Sequence, residues 1–150
     1  MAKKRQTKKP SLTTDAIRDA VSERLNRYTG LNVLEQFAMF MGTAQLLEIS
    51  LKSLLHRLHA IGFEDMERWT LGRVAAELKE RGLRPDFTFL LASVVEYRNY
   101  IAHSLLADEL MLRSLLNGRK TPKFKELNKG IYELEQLCFL FEWTERHKAW

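Results

Sequence analysis

The sequence predicts an all-α fold, an antiparallel bundle of five or six helices, and three observations carry that expectation. Apolar residues recur every three or four positions through most of the 150 residues. Capping residues and stop glycines punctuate the pattern at intervals that suit helices. No segment alternates apolar and polar side chains in the manner of a half-buried strand.

Each element follows from its own signals. Residues 1–12 are rich in lysine, poor in apolar side chains and contain Pro10, so they read as a basic disordered tail. A single domain then spans 13–150. Thr14-Asp15 can open a first helix, in which Ile17, Val21, Leu25 and Tyr28 keep helical spacing and Gly30 is the stop. Asn32 can cap a longer second helix running through Leu34, Phe40, Leu47, Leu51 and Leu55 to Leu58, with Gly62 as its end. Thr70 suits the N-cap of a short helix, Leu71 to Arg81, stopped by Gly82. Pro85-Asp86 opens the next helix, which carries the apolar run Phe87–Val95. No glycine or proline interrupts residues 86–117, and an unbroken helix of that length is unusual. A break is therefore expected soon after His103, with Ser104 or Asp108 capping a further helix from about Asp108 to Leu116. Asn117-Gly118 reads as a turn, and Thr121-Pro122 as the start of a last helix bearing Leu127, Ile131, Leu134, Leu137, Cys138 and Phe141.

Composition excludes several classes. Hydrophobic residues make up 45% and charged residues 29%, as in soluble globular domains. The single cysteine, Cys138, cannot form an intramolecular disulfide, and its apolar neighbours suggest a buried thiol in a reducing cytosol. The uncharged run Gln36–Leu47 is far short of the roughly 20 residues a membrane span needs. The basic N-terminus lacks a following apolar stretch and so does not read as a signal peptide. The net charge of +5 comes from Lys3, Lys4, Arg5, Lys8 and Lys9, since the other 19 basic residues balance 19 acidic ones. Such an arm can hold a nucleic-acid backbone through counterion release; its plainer role is a solubilising leader.

The most informative stretch is Arg98-Asn99-Tyr100-Ile101-Ala102-His103, at the end of the apolar helix. An arginine can hold a phosphate and a histidine, with a pKa near about 6.5, can move a proton at neutral pH. Asn99 and His103 fall one turn apart on one face, whereas Arg98 lies about 140° from His103 on a straight helix. Convergence therefore needs a bend after Ala102 or a second chain. The arginine, the polar residue after it and the histidine five positions on resemble the R-x(4–6)-H motif of the HEPN superfamily. The likeness is specific at Arg98, Asn99 and His103 and extends in architecture over roughly residues 13–150.

That resemblance implies a metal-independent endoribonuclease acting through the ribose 2′-hydroxyl, with no cofactor. It also implies a homodimer whose two motifs form one composite site. Arg98 would hold the scissile phosphate, His103 would transfer the proton, and Asn99 would orient His103 or the phosphate. Tyr97 and Tyr100, on either side, would stack on RNA bases, or else belong to the core. A toxin restrained by an antitoxin, or a phage-defence effector, fits that chemistry. Some HEPN toxins extend the motif to R-x4-H-x-Y; Leu105 stands at the tyrosine position here, which speaks against control by a nucleotidyltransferase partner. Two other classes stand beside the enzyme: a non-catalytic HEPN-like binding or scaffold protein, and a nucleic-acid-binding regulator using the basic arm.

Other candidates carry less. His56 and His59 have zinc-compatible spacing but no third ligand, and read as a polar patch at a helix end. Asp108 and Glu109 read as helix N-terminal acids, Ser104 belongs to no visible triad, and Trp69, Trp143 and the phenylalanines read as packing. There is no phosphate-binding glycine loop.

Overall fold

The computed structural model describes residues 11–108, 110–111 and 125–150. Those residues contain six α-helices and no strand: α1 Thr14–Leu25, α2 Val33–His59, α3 Phe63–Met66, α4 Leu71–Glu80, α5 Pro85–Tyr100 and α6 Lys125–His147. The all-α bundle expected from periodicity is therefore the observed fold. The basic arm and the signals at Asn117-Gly118 and Thr121-Pro122 lie outside the described residues.

The caps explain most boundaries. Thr13, one residue before the expected start, caps α1 by accepting from the Ala16 N–H at 3.2 Å. Asn32 and Glu35 form a reciprocal capping box on α2: each side chain accepts from the other's backbone N–H, at 2.8 and 3.0 Å. Pro85 occupies the first turn of α5, and Gly82, at φ 69°, makes the left-handed turn after α4. Two expectations fail. Helix α2 ends at Ala60, in the left-handed region with φ 55°, and not at Gly62. Gly62 instead precedes α3, where a Cβ would stand 2.9 Å from the Asp65 carboxylate. Four-residue α3 is too short to leave a periodic signature.

The second difference concerns the motif. The chain does not stop after His103; it widens into a π-helical turn, Ile101–Leu105, and continues helically at residues 106–108, 110 and 111. Ile101 and Leu105 are both buried, so the core holds the two ends of the wide turn and the helix carries on. Asp108 lies in helical backbone and accepts from the Tyr100 hydroxyl at 3.2 Å.

Helix α6 is the common partner, packing on α5, α1 and α2, while α4 packs on α5 and α2. Phe40, Leu51, Leu55, Leu78, Phe87, Leu91, Val94, Leu134 and Leu137 form the centre of the core. Leu12 already packs against it, ahead of the expected domain edge at residue 13. Gly130 of α6 marks the closest approach: a Cβ there would meet Ile101 Cδ1 at 2.9 Å and Phe40 Cε2 and Tyr97 Cβ at 3.3 Å each.

Among the described residues, Glu77, Thr88, Glu135 and Thr144 are buried polar residues, and Glu135 and Thr144 have no exposed surface. Glu135 accepts from Arg24 Nε at 2.8 Å, Arg27 Nη2 at 2.6 Å and the Tyr28 hydroxyl at 3.0 Å. Arg24 also forks onto Glu142 at 3.0 and 3.1 Å. Burial works against the Arg24 charge, but its hydrogen bonds to Glu142 and Glu135 outweigh that and hold its pKa up. Burial and the adjacent Glu135 charge push the Tyr28 hydroxyl up as well. This cluster ties the first helical segment to the last. Among the described residues, no helix is long and apolar enough to cross a membrane.

Candidate functional site

Helix α5 buries Phe87, Leu91 and Val94, and the π turn buries Ile101 and Leu105. The spacing between them, four, then three, then seven, then four, leaves one vacancy in the stripe, and Arg98 fills it. A guanidinium on a core-facing stripe is expensive to desolvate unless it is paired. The described residues contain three half-buried arginines: Arg24, Arg84 and Arg98. Arg24 is paired with Glu135 and Glu142, and Arg84 with Asp86 at 2.8 Å. Arg98 pairs with no carboxylate among the described residues; its contact is Nη1 to Asn99 Oδ1 at 3.4 Å.

Asn99 therefore lies against Arg98, and its oxygen steadies the guanidinium rather than the imidazole. His103 is exposed, in the middle of the π turn. In a π turn the backbone bonds run from i to i+5, so each residue advances the helix by less than the 100° of an α turn. The wide turn thus reduces the separation of about 140° that a regular helix would impose between Arg98 and His103. The five-residue spacing of the motif is also the repeat of that turn. Arg98 and Asn99 are thus in contact at the end of α5, and His103 is exposed on the turn that follows.

Tyr97 is half-buried and packs against the core, whereas Tyr100 is exposed and bonded to Asp108. Burial, then the Asp108 bond and charge, raise the Tyr100 hydroxyl above its ordinary value. Both rings line a cavity of about 290 Å³ between α5 and α6, with Ser93, Glu96 and Glu126. Beyond the π turn, Leu110 and Met111 are 69% and 63% exposed, an apolar surface on the motif's own helix. Lys3, Lys4, Arg5, Lys8 and Lys9 lie outside the described residues.

The secondary candidates resolve into local structure. His56 Nδ1 is 2.8 Å from the Ile61 carbonyl and its ring lies tilted against Phe63, with centroids 4.4 Å apart. His59 is half-buried and points a partnerless Nε2 inward. No group of three potential metal ligands occurs among the described residues. Phe89, expected to pack, is 82% exposed. The feature that sequence reasoning missed is the Arg98 vacancy in the apolar stripe, although the spacing from Phe87 to Leu105 contains it. In comparisons with known proteins, no family model, no curated protein and no solved structure matches this chain.

Proposed function

We propose that this chain is a HEPN-like endoribonuclease that cleaves RNA through the ribose 2′-hydroxyl, with Arg98, Asn99 and His103 as its catalytic group. The observation that carries this reading is Arg98: a half-buried arginine on the apolar stripe of α5, with an exposed guanidinium contact to Asn99 and no carboxylate among the described residues, five positions before an exposed histidine on a π turn. A permanently charged planar donor with an unfilled partner suits a phosphodiester.

In the proposed reaction the neutral His103 imidazole takes the 2′-hydroxyl proton. The 2′-oxygen attacks the adjacent phosphorus, the bond to the 5′-oxygen breaks, and that oxygen receives a proton. The products are a 2′,3′-cyclic phosphate and a free 5′-hydroxyl. Arg98 stabilises charge on the non-bridging oxygens, and Asn99 keeps the guanidinium aimed at them. Because one histidine cannot be both base and acid in one step, a second copy supplies the acid, as the partner's His103. The exposed Leu110 and Met111, beyond the π turn, offer that copy an apolar surface.

The test is incubation of purified protein with a panel of RNAs in the presence of EDTA. Wild type is expected to leave 2′,3′-cyclic phosphate ends. His103→Ala is expected to lower the rate by about a hundredfold or more, with an unchanged far-UV CD spectrum. Equal cutting by both proteins, or no cutting of any RNA, overturns the assignment and leaves the binding or scaffold role.

A further inference from the structure

Ser93, Glu96, Tyr97 and Tyr100 recur at i, i+3, i+4 and i+7 and therefore share one face of α5. With Glu126 they line the cavity of about 290 Å³ beside the motif. Its hydrogen-bonding capacity is lopsided. The Ser93 hydroxyl is committed to Glu133 at 2.6 Å, and the Tyr100 hydroxyl to Asp108 at 3.2 Å. The Tyr97 hydroxyl, which can donate or accept, and the carboxylates of Glu96 and Glu126 remain, both carboxylates exposed and neither in an ion pair among the described residues. An ionised carboxylate only accepts hydrogen bonds, so the cavity suits a ligand that donates, while the tyrosine rings offer it a flat surface.

An organic cation and a donor-rich nucleobase both answer that description, and the surroundings add to the case for the nucleobase. Arg98 follows Tyr97 in sequence, and Lys125 and Lys129 flank Glu126 on α6. None of the three is paired with a carboxylate among the described residues. Glu96, Glu126, Glu133 and Asp108 face the cavity, so the three cations do not exclude an ammonium; they offer partners to the phosphodiester chain that a nucleobase would bring with it. Arg98 also projects about 100° round the helix from Tyr97, so one strand crossing α5 meets both.

We propose that this cavity is a guanine subsite for single-stranded RNA, next to the phosphate held by Arg98. The proposal rests on the ribonuclease reading above and names its base preference. Guanine carries two neighbouring donors, N1–H and the exocyclic amino group, which match the two oxygens of one carboxylate. Adenine and cytosine place an acceptor nitrogen beside their amino group, and uracil places its single N–H between two carbonyls. Each of these sets an acceptor against a carboxylate oxygen, a mismatch that a polar site penalises strongly.

The test uses labelled 2′-O-methyl heptanucleotides that differ only in the central base, with binding read by fluorescence anisotropy at fixed salt. Wild type is expected to bind the guanine oligomer at least about tenfold more tightly than the other three. Glu96→Gln/Glu126→Gln, which preserves size, is expected to bring the four within about twofold. Absence of a guanine preference in wild type, through equal binding or no binding, overturns the subsite; so does a preference that survives the double variant. Saturable spermidine binding that the double variant loses, without base preference, assigns the cavity to a cation instead. These oligomers lack the nucleophilic hydroxyl, so the result is independent of cleavage. Guanine preference in a protein that cuts nothing would sink the nuclease reading alone, and cutting without base preference would sink the subsite alone.

Discussion

At the scale of single residues, Glu135 and Arg98 have opposite circumstances. Glu135 is fully enclosed and satisfied by three donors, whereas Arg98 is half-enclosed and lacks a counter-ion among the described residues. Removing the carboxylate of Glu135 would leave Arg24 Nε, Arg27 Nη2 and the Tyr28 hydroxyl without the acceptor they share, in a place water reaches poorly. Glu135→Ala is therefore expected to destabilise the fold by about 3–5 kcal/mol in urea denaturation. Glu142→Gln, at the exposed end of the same cluster, is expected to cost no more than about 1 kcal/mol. Equal losses for the two would show that burial does not set the value of the cluster. The sequence could not reveal this network, because Glu135 lies more than 100 positions from each of its donors. Arg98 was legible as half of a motif. Its place in the apolar stripe was also legible, from the spacing of Phe87, Leu91, Val94, Ile101 and Leu105.

At the scale of elements, local chemistry was the readable part. Asn32, Thr70 and Pro85 announce helix starts because caps and a first-turn proline act within a few residues. The end of α2 was misread because an alanine took the left-handed position that Gly62 was expected to fill. The π turn was invisible, since nothing in Ile101–Leu105 prefers it locally; the burial of its two ends against the rest of the bundle sustains it. Relative to an α turn it holds one additional residue. Deleting Ala102 is thus expected to restore regular helix there and to change the placement of the imidazole relative to Arg98, four residues on instead of five and about 40° round a straight helix. Far-UV CD should stay within error of wild type while RNA cleavage falls by about a hundredfold. A deletion variant that cuts at the wild-type rate would show that the wide turn does not position the histidine.

At the scale of the whole molecule, charge sets the range over which the bundle holds. The hydrogen bond from Arg81, with help from Arg73, holds the Glu77 carboxyl below its ordinary value of 4.5 despite its burial. Asp86 is pushed upward by burial, but the Arg84 bond and the Phe87 N–H outweigh this and take it below 3.8. Both groups bind protons more readily when unfolded, so their contribution is complete above pH 4.5 and disappears as pH falls through the lower folded-state values. Cys138 behaves in the opposite sense: burial, then Glu135, push its thiol from 9.0 to about 12. Its contribution is complete below pH 9.0 and is lost as pH rises towards 12, and the raised Tyr28 acts in the same direction. The midpoint of thermal unfolding is expected to be flat between about pH 5 and 9 and to fall on both sides. A midpoint still rising below pH 4 would contradict the assigned carboxylate shifts.

Gly130 gives the packing a consequence for control. Its missing methyl group admits Ile101, Phe40 and Tyr97 from three directions, and Ile101 begins the π turn that carries His103. A Cβ at this spot would press on close-packed atoms, Ile101 first among them, that have little slack to absorb it. A change as small as one carbon on α6 would thus bear on the turn that carries His103 and on the Tyr97 side of the cavity together, without altering a single polar group of either.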